Sequence, residues 1–129
     1  MSNLNQSERN NASHPSTDDI LRLARILWNR NPEKVRSTQT EDVEFRATFG
    51  CHVLIVQSIY KLLYSEDLLP EGGKLEYLLW ALMFLKIYAG FKDLASRAGV
   101  DEQTFKKWSW LFVLAIANLE TIMVSVLFL

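Results

Sequence analysis

The stretch that most constrains this chain runs from Phe91 to Trp110, FKDLASRAGVDEQTFKKWSW. Two short apolar periodicities flank a single glycine there, and that pattern predicts two helices meeting at a tight turn, a helix-turn-helix over residues 91–110. Gly99 stands where the first helix must end in a left-handed conformation that glycine adopts without steric penalty. Ala95 supplies the small side chain needed where the two helices cross. Val100 plugs the turn, and Asp101 is placed to cap the next helix through the backbone N–H of Gln103 or Thr104. Leu94, Ala95, Ala98, Val100, Phe105 and Trp108 then form the inward face, and Asp101, Glu102, Gln103, Lys106 and Lys107 the outward one.

An outward face of that kind is the part of a helix-turn-helix that enters the DNA major groove, where cations reach phosphates and amides read base edges. The candidate DNA-binding residues are therefore Gln103, Lys106 and Lys107, with Thr104 and Arg97 beside them, and Ala95, Gly99 and Val100 build the turn. The same spacing also suits a plain helical hairpin whose outer face is merely solvated. Charge is a weak guide: Lys92, Arg97, Lys106 and Lys107 stand against Asp93, Asp101 and Glu102 in the motif, and the whole chain carries a net charge of −1. Any DNA contact is therefore expected to be local, or to be helped by a segment absent here.

The remainder reads as helical support. With 129 residues, 49% of them hydrophobic, the chain can bury one core. Residues 1–16, rich in Asn and Ser, are expected to be a disordered tail with no signal peptide, and residues 17–129 a single helical domain. Ser16 or Thr17 is expected to cap a first helix with Arg22, Arg25 and Arg30 on its solvated side. Asn29 to Gln39 is expected to be a loop, and Thr40 to start a helix that Gly50 ends after Phe49. His52 to Tyr64 has a core periodicity. Lys74 to Ala89, apolar nearly all round, is expected at the centre of a bundle. Cys51 is the only cysteine and His14 and His52 lack companions, so a disulfide framework and a metal cluster within one chain are excluded.

Trp108 to Leu129 is long enough for a membrane span of roughly 20 residues. Asn118 and Glu120 in its middle, and no Lys or Arg after them, favour a buried helix, a break near Asn118 and a second short apolar segment instead. Thr121 to Leu129 is expected to lack a packing partner within the chain and to drive self-association. The fold expected is thus an all-α compact bundle of about five to seven helices containing the helix-turn-helix, with no membrane partner.

Three blocks carry a resemblance: FRATFGC (Phe45 to Cys51), LLPEGGKLEYLLWALMFLK (Leu68 to Lys86) and GVDEQTFKKWSW (Gly99 to Trp110). Over about Phe45 to Leu119 the chain resembles the N-terminal helical region of DDE-superfamily endonucleases of the Harbinger transposase type. That resemblance implies a nuclear protein with duplex DNA as partner and Gln103, Lys106 and Lys107 on the recognition helix. In such proteins an RNase H-like domain follows, whose three carboxylates hold divalent metal for strand cleavage. This sequence stops before any such domain. The expectation is a fragment or remnant without nuclease activity or a cofactor of its own, partnered by a separate catalytic domain or by itself. A helical protein-interaction module is the alternative, and a small membrane protein anchored by residues 108–129 the remoter one.

Overall fold

A computed structural model of the chain describes residues 14–87 and 89–127, with side chains placed as far as residue 122. Six helices follow one another among the described residues: α1 (Thr17–Leu27), α2 (Thr38–Phe49), α3 (Val53–Ser65), α4 (Leu75–Ile87), α5 (Phe91–Ala98) and α6 (Glu102–Leu127). The fold is all-α.

Each early helix starts on a side-chain cap. Ser16 accepts from the Asp19 backbone N–H at 3.1 Å while the Asp19 carboxylate accepts in return from the Ser16 N–H, so two orphan donors of α1 are satisfied reciprocally. The tail expected over residues 1–16 lies mostly outside the described residues; of its last three, Pro15 is buried and Ser16 belongs to this cap. α2 begins two residues before the expected Thr40. Its cap is Ser37, whose hydroxyl accepts the Thr40 N–H at 3.2 Å, which makes Thr40 a first-turn residue. The expected loop accordingly ends before Thr38. His52 caps α3 by accepting the Leu54 N–H on Nδ1 at 3.1 Å. A half-buried position at a helix start suits an imidazole that uses one nitrogen as an acceptor.

α4 is the axle of the bundle. Leu78 through Met83 are buried without interruption, so all faces of this middle stretch meet protein, and the helix reaches water near its end, at Leu85 and Lys86. Every other described helix packs against it, α6 most extensively, then α2. The contact with α5 and α6 is largely aromatic. Phe84 stacks on Phe91 at 4.8 Å, Trp80 on Phe105 at 5.3 Å and Tyr77 on Trp108 at 4.6 Å. Buried aromatic pairs combine large apolar area with a preferred geometry, so these three contacts fix the turn of α5 and α6 to the axle. Gly73 tightens the same joint: a Cβ there would lie 3.0 Å from the Phe112 ring and 2.8 Å from the Pro70 carbonyl oxygen. Only glycine lets the loop before α4 lie flat on α6.

Two further expectations fail. α6 is one continuous helix, with no break near Asn118. Between Val100 and Leu129 there is neither Gly nor Pro, and Asn118 and Glu120 both sit on the exposed side while Leu119 between them is buried. Polar residues at those positions are satisfied by water and give the helix no reason to stop. No described helix is long and apolar enough to cross a membrane. Residues 128 and 129 lie outside the described residues, as do the side chains from 123 onward, and with them most of the segment expected to lack a partner.

The other failure is Arg25. Expected on the solvated side of α1, it is 4% exposed and forms a two-pronged ion pair with Glu41 of α2, Nε to Oε2 at 2.9 Å and Nη2 to Oε1 at 2.8 Å. Its remaining nitrogen, Nη1, donates to the Pro32 carbonyl at 2.9 Å. Arg25 directly follows buried Ala24 and lies one turn before half-buried Trp28, so its place on the stripe was open to an apolar residue, and the chain put a paired charge there. The guanidinium fork matches a carboxylate geometrically, which makes so buried a position tenable for Arg.

Candidate nucleic-acid interface

The turn forms as its residues predict. α5 ends at Gly99 with φ +74° and ψ +26°. The backbone N–H of Gly99 donates to the Ser96 carbonyl at 3.2 Å and that of Val100 to Ala95 at 3.1 Å, which satisfies carbonyls the helix end would leave unpaired. A Cβ on Gly99 would meet nothing within 4 Å. The demand for glycine is therefore conformational alone.

Asp101 caps α6 through Thr104, not Gln103. Its Oδ1 accepts the Thr104 N–H at 2.9 Å and its Oδ2 the Thr104 hydroxyl at 2.7 Å. These two bonds, the hydroxyl's first, hold the Asp101 carboxyl below the usual carboxylate range. Thr104 thus spends its hydroxyl proton on the start of its own helix.

The inward and outward faces separate as the spacing requires. Leu94, Ala95 and Phe105 are buried and Ala98, Val100 and Trp108 half-buried, while Arg97, Gln103, Lys106 and Lys107 are all exposed. Neither lysine projects into water unsupported. The Lys106 ammonium lies 5.7 Å from the centre of the Phe91 ring, and that of Lys107 lies 5.0 Å from Trp108. Both distances are within reach of the ring quadrupole. These rings are themselves braced, Phe91 on Phe84 and Trp108 on Tyr77, so the aromatic joint of α4 with α5 and α6 also orients the two cations. Asp101 and Glu102 share the exposed start of α6 with them, and the face is mixed in sign rather than a basic stripe.

Below this face the outer side of α6 changes character. Trp110 is 44% exposed and Leu114 56% exposed, large apolar groups one helical turn apart. Sequence reasoning placed both in a buried helix. The signal that finds them is their offset from Phe105, Phe112 and Leu119, which repeat every seven residues and take the inner stripe.

Elsewhere a cleft of about 420 Å³ opens between α1, the following loop and α2, with Arg22, Glu33, Arg36 and Asp42 around its rim and the Arg25–Glu41 pair at its wall. Its charges are mixed and its two buried ones satisfy each other. Among the described residues no three His, Cys, Asp or Glu side chains gather as a metal-holding group. Comparison with family models, with characterised proteins and with solved structures gave no match to this chain.

Proposed function

We propose that the chain is a helix-turn-helix DNA-binding module of the transposase-like kind suggested by its sequence blocks, one that positions duplex DNA and does not cut it. The observation that carries this reading is the first two turns of α6: Gln103, Lys106 and Lys107 are exposed together directly after a turn closed by a left-handed glycine, while Phe105 and Trp108 face inward. In such a unit Lys106 and Lys107 neutralise phosphates, with Arg97 at the end of α5 as a further cation, and Gln103 reads a base edge through its amide. On this reading the chain acts in the nucleus, and any strand cleavage belongs to a separate metal-dependent domain.

Titration of labelled duplex DNA at two salt concentrations tests it. The Lys106→Ala/Lys107→Ala double variant should bind more weakly to all sequences, with the log–log salt slope shallower by roughly 0.9 for each phosphate no longer neutralised. Gln103→Ala should leave the slope unchanged and reduce the preference at one base pair by about 1–3 kcal/mol. A parent protein without measurable affinity at low salt, or a double variant that binds as well as the parent, overturns the proposal.

A second reading, a helical protein-interaction module, draws on the exposed Trp110 and Leu114. Apolar groups of that size, close together on one helix, mark contact surfaces between proteins.

A further inference from the structure

We infer that the outer side of α6 is a seam for a second copy of this chain, seated antiparallel. The inference stands on the exposed face of α6 and does not depend on DNA binding.

Gln103, Lys107, Trp110, Leu114, Ala117 and Thr121 are all exposed, and they follow one another in alternating steps of four and three residues. That is the spacing at which two helices present one continuous edge to each other. Thr121 adds an apolar group to the edge, because its hydroxyl donates to the Ala117 carbonyl of its own helix at 3.2 Å. Lys106 and Glu120 flank the edge, fourteen residues apart, both exposed and both in the position next to the seam where charges choose partner and orientation.

These placements select both occupant and direction. With a two-fold axis across the helix near residues 112 and 113, Trp110 of each copy meets Leu114 of the other, Lys107 lays its aliphatic stem on Ala117, and Gln103 meets Thr121. Lys106 of each copy then lies against Glu120 of the other, so the single pair of opposite charges is used twice. The parallel arrangement sets Lys107 against Lys107 and forms no Lys–Glu pair. The face is thus complementary to itself when reversed, as a two-fold interface requires. A copy seated there covers Gln103, Lys106 and Lys107, so the second copy and a DNA duplex would compete for one surface.

Sedimentation equilibrium of the full chain over a concentration series tests this. The parent should show a monomer–dimer equilibrium. Lys106→Glu and Glu120→Lys should each raise the dissociation constant about tenfold, since by symmetry either change turns two attractive pairs into two repulsive ones. The combined Lys106→Glu/Glu120→Lys variant should return to within about threefold of the parent. Leu114→Lys should give monomer, with helical content by circular dichroism unchanged because the site is outside the core. A parent that stays monomeric at all concentrations overturns the inference, as does a dimer indifferent to Leu114→Lys, or a double charge swap that fails to restore association.

Discussion

The joint of α1 with α2 and the joint of α4 with α5 and α6 both use aromatic rings, but only the first buries a charge pair among them. The first is centred on one buried ion pair, Arg25 with Glu41, closed by a third hydrogen bond to a loop carbonyl, with Trp28 beside it packed on Phe45 and Phe49 and donating to the Thr48 hydroxyl. The second is a run of stacked rings with no charge inside it, and its cations, Lys106 and Lys107, lie on the outside of the rings. An ion pair fixes two helices at a point and fails as a unit if one partner is removed. A stack of rings spreads its contribution over many contacts, each of which can be weakened singly.

The largest effect should therefore come from halving the ion pair. Glu41→Ala leaves a buried guanidinium unpaired and should cost about 3–5 kcal/mol in urea denaturation, whereas the paired replacement Arg25→Met/Glu41→Leu should be close to neutral. Equal losses in the single and paired variants would show that the pair stabilises by packing rather than by charge. Acid sharpens the same point. The hydrogen bonds from Arg25 hold the Glu41 carboxyl below its ordinary value of 4.5, against the opposing effect of burial. Unfolding returns the group to that value, so the contribution is complete above about pH 4.5 and is lost as the pH falls through the lower folded value. Stability measured across that acid window should fall more steeply in the parent than in the Arg25→Met/Glu41→Leu variant.

Changes at the aromatic joint and its turn should be smaller. Gly73→Ala forces a Cβ against Phe112 and the Pro70 carbonyl and should cost about 1–3 kcal/mol as overpacking. Gly99→Val should cost a similar amount for a different reason, backbone strain at positive φ in open space. Gly99→Asn should recover much of that loss, because asparagine tolerates the left-handed region. If Asn is as costly as Val in thermal melts, side-chain bulk rather than the turn angle is limiting.

The smallest effect is at Ser109, 1% exposed, whose hydroxyl has no hydrogen-bond partner. Ser109→Ala removes a desolvated polar group without opening space and should stabilise by up to about 1 kcal/mol. A drop in melting temperature would mean that the hydroxyl is satisfied in solution.

The same contrast explains what the sequence made legible. The turn was readable because it is local: Gly99, Asp101 and Thr104 settle their own geometry within a few residues, and the buried and exposed faces of α5 and the start of α6 follow from a 3.6-residue period. α4 was readable because a helix apolar on all sides has one place to go. Arg25 was not, because its partner stands sixteen residues away on another helix, and no local pattern separates a solvated arginine from a paired one. Asn118 and Glu120 misled for the converse reason. Taken as interruptions of an apolar run, they are exposed positions on a helix whose other side, marked by the seven-residue repeat of Phe105, Phe112 and Leu119, is buried.

The continuity of α6 has a mechanical consequence. Twenty-six residues without a hinge make a rod about 39 Å long at 1.5 Å per residue, with the turn at Gly99 at one end. A rod cannot absorb a tilt by bending at a joint it does not have. If a ligand at the Gln103 end rotates α6 by about 5° about its contact with α4 near Trp108, the far end, about 28 Å away, is carried about 2.5 Å sideways, close to half the 5.4 Å pitch of a helix. The helix is then a lever with the α4 axle as its fulcrum, and whatever rests on its distal turns feels what happens at the first.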